Sequence, residues 1–394
     1  METKRKFLLG GAAMGLALGL GAGALQAKDL TIGMVVTLSG PPAALGKQIV
    51  DGFKLALDQK GGMLGGEKVN LVIQDDELKP DVARQKAEEL VKRDHADFVV
   101  GTVFSNMLMA IFKPVVTSKT FLISPNAGPS TFAGKNCNPF FFATSYQNDQ
   151  NAQVAGMIAN QEGFKNAFVM VPNYQAGRDN VAGFKKTYKG KITAEAFTPL
   201  GHKDFSPQLA RIATSNSDSL FTFMPGGMGV ALVKQFTAAG LKDKVKFLSV
   251  FTTDETTLPA QKDDALGDLA AGNWAPDAKT PASEAFVAAF EKKYGYIPGG
   301  YAMQAYDTAM LIDSAVAKVK GDLSDKKAVQ KALEAADFTS LRGGFKFNNN
   351  HYPIQNFYLL KVAKNAKDQY HTSIVREVVK DYGDAYHQQC KMKM

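Results

Sequence analysis

Few residues of this 394-residue chain are spaced for covalent chemistry. There is no Gly-x-Ser-x-Gly elbow and no His-Glu-x-x-His zinc helix. His95, His202, His351, His371 and His387 are scattered, without the spacing of metal ligands. Asp75-Asp76-Glu77 has the composition of a cation site but reads better as a solvated strand end. Neither a metal nor a cofactor is expected. The residues that stand out suit binding instead. Ser39-Gly40-Pro41 is a polar turn between a strand and a helix. Phe104, Phe251 and the Phe221/Phe223 pair offer flat apolar faces. Tyr174 and Arg178 add a hydroxyl and a charge.

Those residues need a scaffold, and strand–helix alternation supplies it. Leu30 to Thr37 is a short apolar strand, and Ile49, Val50, Phe53, Ala56 and Leu57 share one face of the helix that follows. Gly61-Gly62 stops that helix. Strands follow at Val69–Ile73, Phe98–Val100 and Thr120–Ile123. A second series places strands at Ala167–Val171, Ile192–Phe197, Leu220–Phe223 and Val245–Ser249. Helices near 177–188, 206–213 and 229–239 separate them. Three helical patterns come after Pro281, the clearest at Tyr301–Val319, and a late strand spans Gln355–Val362. This rhythm predicts an α/β fold with doubly wound parallel sheets.

Lys4, Arg5 and Lys6 precede an apolar stretch from Phe7 to Leu25, the layout of a secretory signal. Cleavage is expected after Ala27, so the protein is expected to be exported. No later stretch is apolar for the roughly 18 residues of a spanning helix. The remaining 367 or so residues are too many for one compact core, so two domains are expected. Without Glu2, Lys4, Arg5 and Lys6 the net charge is +6, and the charges are interspersed. No basic run with interleaved aromatics points to nucleic acid. Cys137 and Cys390, the two cysteines, are expected to pair as a disulfide that ties down the tail.

The run Thr31–Pro41, then Gly46, Lys60-Gly61-Gly62, Asp75-Asp76, Pro80, Val100-Gly101, Ser124–Ala127, Lys203–Phe205 and Lys292–Gly295, resembles the branched-chain amino-acid (leucine/isoleucine/valine) binding proteins of ABC importers. The resemblance implies a type I periplasmic binding protein: two lobes, three hinge crossings and a ligand between them. The crossings would fall near Thr144–Asn148, Ala275–Asp277 and Asn350–Gln355. Lobe one would hold residues 28–147 and 277–352, and lobe two 148–276 and 353–394. The family's pocket would comprise Ser39, Pro41 and Leu45; Phe104 and Ser105; and Asn126, Ala127 and Gly128 from lobe one. Tyr174, Ala176, Arg178, Pro225 and Phe251 would come from lobe two, with Tyr301 added. Gly128 stands where amino-acid binders usually have threonine. Phe251 stands where they hold the ligand's ammonium with an acid, although Asp254 and Glu255 lie nearby. A buried ammonium without an acceptor costs several kcal/mol. The chain also looks like the branch that binds benzoates and cinnamates. The leading expectation is therefore a monomeric receptor that passes an aromatic carboxylate to importer membrane subunits. An apolar amino acid is the alternative ligand, and an exported hydrolase the alternative class.

Overall fold

The computed structural model describes residues 1–2 and 29–392, so the expected export signal lies almost wholly outside the described residues. Among the described residues, no helix is long and apolar enough to cross a membrane. The first lobe runs β1 (Leu30–Val36), α1 (Ala43–Gln59), β2 (Met63–Leu64), β3 (Glu67–Asp75), α2 (Pro80–Lys92), β4 (Phe98–Gly101), α3 (Ser105–Thr117), β5 (Phe121–Ser124) and β6 (Phe141–Ala143). Next come α4 (Asn148–Gln161), β7 (Asn166–Pro172), α5 (Gln175–Thr187), β8 (Lys191–Thr198), α6 (Ser206–Thr214) and β9 (Ser219–Thr222). These lead to α7 (Gly227–Ala238), β10 (Lys246–Ser249), α8 (Leu258–Gln261) and β11 (Leu269–Gly272). Three helices return to the first lobe: α9 (Pro281–Tyr294), α10 (Gly300–Lys318) and α11 (Lys326–Glu334). The chain ends with β12 (Lys346–Phe347), β13 (Pro353–Lys364) and β14 (Tyr370–Tyr382).

Two sheets result. One has the order β2-β3-β1-β4-β5-β6 and is parallel apart from the short β2–β3 hairpin. The other has the order β12-β13-β11-β10-β9-β7-β8, with β14 paired to β13. β1, β4 and β5 are apolar at nearly every position and buried along their whole length, as strands covered on both faces must be. The wholly parallel expectation needs one correction. β13 runs antiparallel to β11 and to β14, so the second sheet carries an antiparallel edge.

The chain passes between the sheets at residues 144–147, at 273–280 and just before β13. The buried Arg342 guanidinium gathers these passages. It donates to the Thr144 carbonyl at 2.6 Å, the Ser145 carbonyl at 3.1 Å and Gln355 Oε1 at 2.6 Å. Asp307 Oδ2, equally buried, lies 3.0 Å from its Nη2. Asn273 Nδ2 completes the knot by donating to Gln355 Oε1 at 3.0 Å. A buried ion pair of this kind is tolerable because every oxygen facing it has a donor. Burial raises the Asp307 carboxyl above its ordinary value, and Arg342 and the hydrogen bonds pull against that rise.

Cys137 and Cys390 are joined, with Cα atoms 5.7 Å apart across 253 residues of chain. The tail after β14 thus lies against the first lobe's loops. Asn350 Nδ2 donates to Asp384 Oδ2 at 3.0 Å, and Tyr386 Oη donates to Asp149 Oδ2 at 2.6 Å.

Candidate ligand cleft

The strands deliver their carboxyl ends to one cavity between the lobes, the place where open parallel sheets bind ligands. β4 leads into Val103 and Phe104, β5 into Asn126 and Ala127, and β7 into Tyr174. β9 leads into Phe223 and Pro225, and β10 into Phe251. Leu45 from α1 and Tyr301 from α10 close the ends. The space these residues leave is tight, about 340 Å³ with the open solvent at its mouth included.

Six aromatic rings line it. Phe104 and Tyr174 have centroids 6.1 Å apart, Tyr174 and Phe223 6.2 Å, and Phe223 and Phe251 6.4 Å. Phe251 stacks on Tyr146 at 5.0 Å and lies 5.9 Å from Tyr301. Its backbone is left-handed, at φ +50°, an uncommon setting for a bulky residue. Burial pushes the Tyr146, Tyr174 and Tyr301 hydroxyls above their ordinary range, so all three stay protonated donors.

The polar side of the cavity is built from helix starts. Phe104 and Tyr174 are the N-caps of α3 and α5, and neither side chain caps its helix. The first-turn N–H groups of both helices therefore remain available to an anion, with the helix dipoles behind them. Asn148 Nδ2 donates to Ser105 Oγ at 3.1 Å and to Asp179 Oδ2 at 2.9 Å. Asn126 Nδ2 donates to the Val103 carbonyl at 2.6 Å, and Tyr146 Oη donates to Asn126 Oδ1 at 2.8 Å. Asn180 Nδ2 donates to the Ala176 carbonyl at 2.8 Å, while its buried Oδ1 has no partner. No Asp, Glu, Lys or Arg lies among the lining residues described.

Ten of the expected residues line this cavity: Leu45, Phe104, Ser105, Asn126, Ala127, Tyr174, Ala176, Pro225, Phe251 and Tyr301. Four stand elsewhere. Arg178 is exposed on α5 and donates to Asn173 Oδ1 at 3.2 Å. Ser39 is exposed and hydrogen-bonds the Asp75 carboxylate, helping to hold it below its ordinary range against the opposing effect of desolvation. Pro41 forms the lip of the cleft, where a Cβ on Gly227 would lie 3.1 Å from its own Cβ. Gly128 is a packing glycine. A Cβ there would fall 1.9 Å from the Tyr146 carbonyl oxygen, which leaves no room for a threonine. Val103, Tyr146, Asn148 and Asn180 were not anticipated. Tyr146 and Asn148 lie at the first crossing; Asn180 is one helical turn beyond Ala176, and that spacing is a usable signal.

Two uncapped helix starts and an aromatic box, at the strand ends of paired α/β lobes, define a two-lobed solute receptor. The chain belongs to the periplasmic binding protein family, whose model matches residues 29–368. It is similar to a solute-binding protein of an ABC transporter from R. palustris solved in complex with benzoate. The two are 30% identical, with 93% of this chain and 100% of that one covered at a TM-score of 0.87. A second R. palustris solute-binding protein, in complex with 4-hydroxybenzoate, is 27% identical over 90% of this chain and 98% of that one, with a TM-score of 0.84. Among curated proteins, the Leu/Ile/Val-binding protein homolog 6 of Brucella melitensis is 27% identical over 91% of this chain and 93% of its own length.

Proposed function

We propose that this protein binds a small aromatic carboxylate in the cleft and delivers it, without transforming it, to the membrane subunits of an ABC importer. It acts as an exported monomer, cut after Ala27. The observation that carries the reading is the cavity wall itself: six aromatic rings, two uncapped helix starts and no charged side chain. The carboxylate sits at Ser105 and the starts of α3 and α5. Each dipole contributes about 0.3–1 kcal/mol, more where water is excluded. The ring fills the space between Phe104, Tyr174, Phe223 and Phe251, where offset and edge contacts add about 0.5–1.5 kcal/mol each. The benzoate and 4-hydroxybenzoate complexes of the similar proteins support this ligand class.

A second reading, an apolar amino acid, has one specific observation in its favour. Asp254 is buried, its Oδ2 has no partner, and its charge is felt by Tyr146 and Tyr301 of the wall. Against it, Asp254 does not line the cavity, and burial raises its carboxyl toward the neutral form. Calorimetry of the mature protein against benzoate, hydroxybenzoates, hydroxycinnamates, leucine and isoleucine decides between them. Micromolar or tighter binding of an aromatic acid is expected. Tight leucine binding with no heat from any aromatic acid overturns the proposal.

A further inference from the structure

A second cavity lies beside the cleft, in the seam where the lobes meet. Lys47 and Gln48 of α1 and the loop Gly295–Ile297 form its first-lobe wall. Glu255, Pro259 and Tyr370 form the second-lobe wall. Its empty volume is about 1040 Å³, part of it open to solvent, and apolar atoms make up most of its lining. It shares no lining residue with the cleft.

One carboxyl in it is bonded from one side only, by Thr372 and its own backbone N–H. Glu255 is 7% exposed. Its Oε1 accepts from the Thr372 N–H at 2.8 Å and the Thr372 hydroxyl at 2.7 Å. Oε2 accepts no hydrogen bond from any other described residue, and only the missing side chain of Gly299 leaves it room, since a Cβ there would lie 3.1 Å away. The cations nearby are already engaged. Lys47 is paired with Asp51, which also accepts from Tyr296 Oη at 2.5 Å. Lys364 is paired with Asp368 at 3.1 Å. A desolvated carboxylate oxygen facing an apolar space asks for a positively charged donor.

We infer that this seam is a second ligand site, for a small primary ammonium carrying a compact apolar body. The ammonium meets Glu255 Oε2, and the body rests against Tyr296, Ile297, Pro259 and Tyr370. Because both lobes build the site, an occupant favours the closed cleft, and by linkage a cleft ligand favours the occupant in return. The inference goes beyond the receptor reading and does not depend on which ligand the main cleft takes.

The test uses 3-methylbutylamine on the mature protein, with 3-methylbutanol and 3-methylbutanoate as matched probes. Calorimetry is run at about pH 8, where a carboxyl pushed up to about 7 is mostly ionised. The amine should bind at least tenfold tighter than the alcohol or the acid. Glu255→Gln, which still accepts from Thr372, should erase that preference. Ile297→Trp, which fills the cavity and leaves the carboxyl alone, should abolish binding. An unchanged circular-dichroism spectrum and an unchanged response to the main cleft's ligand show that each variant is folded. Amine binding that survives both substitutions, or no amine binding by the unsubstituted protein, overturns the inference.

Discussion

Placing a carboxylate at position 251 separates the two readings of the main cleft more sharply than any other single change. Phe251 packs on Tyr146 at 5.0 Å and meets Phe223 edge-on at 6.4 Å. Phe251→Ala removes those contacts and should weaken an aromatic acid by about 1 kcal/mol, roughly fivefold. Phe251→Glu removes the same contacts and adds a charge in the wall. At about 7 Å from the bound carboxylate and an effective dielectric near 20, the repulsion is about 2.4 kcal/mol. The glutamate variant should therefore lose more than a hundredfold in affinity, and the difference between the two variants isolates the charge. A glutamate buried among aromatic rings will have a raised pKa, so the loss should deepen as pH rises. Titration calorimetry with benzoate and 4-hydroxybenzoate, at about pH 5 and about pH 8, reads all of this. Equal losses for Ala and Glu, or a Glu variant within fivefold of the parent, would refute the placement of an anion in this cleft.

Gly128→Thr restores the residue usual in amino-acid binders, but its Cβ would collide with the Tyr146 carbonyl oxygen. It should cost about 3 kcal/mol of stability in a urea melt rather than improve ligand binding. Asp149 is raised from 3.8 to about 6 by burial and then by the charge of Asp179. Its contribution to stability is complete below about pH 3.8 and is lost as pH rises through about 6, by up to about 3 kcal/mol. Asp149→Asn should flatten that part of the stability profile in denaturant titrations across pH. Cys390→Ser opens a 253-residue loop and should lower stability by about 4 kcal/mol, with the same loss on reducing the parent protein.

Most of the fold was legible because parallel strands covered on both faces read as apolar runs. Leu30–Val36 and Phe121–Ser124 are such runs, and each starts or ends within a residue of its expected position. β14 was not legible. Its thirteen residues include charges at Arg376, Glu377, Lys380 and Asp381, and most are half-buried or exposed on an edge strand whose burial comes from pairing with β13. In the cleft, positions just past strand ends were recoverable from local pattern. Ala176, Pro225 and Phe251 were recoverable only from their place in a family. Arg178 was misplaced for a simple geometric reason. Two residues along a helix is about 200° around it, so a helix that turns Ala176 and Asn180 inward must turn residue 178 out. Tyr146 and Asn148 depend on how the first passage meets α5 and the loops at 105 and 126, a long-range arrangement that no local period encodes.

The tail joined to Cys137 gives the joint a property that three peptide passages alone would not. Threads gathered around one guanidinium behave as an axle, which permits bending but offers little resistance to torsion. The tail adds a strut beside that axle: Cys390 and Asp384 hold Cys137 and Asn350 on the first lobe's side, while Tyr386 holds Asp149 at the start of α4 in the second. Any relative movement of the lobes must keep Cys137 and Cys390 within the reach of one disulfide.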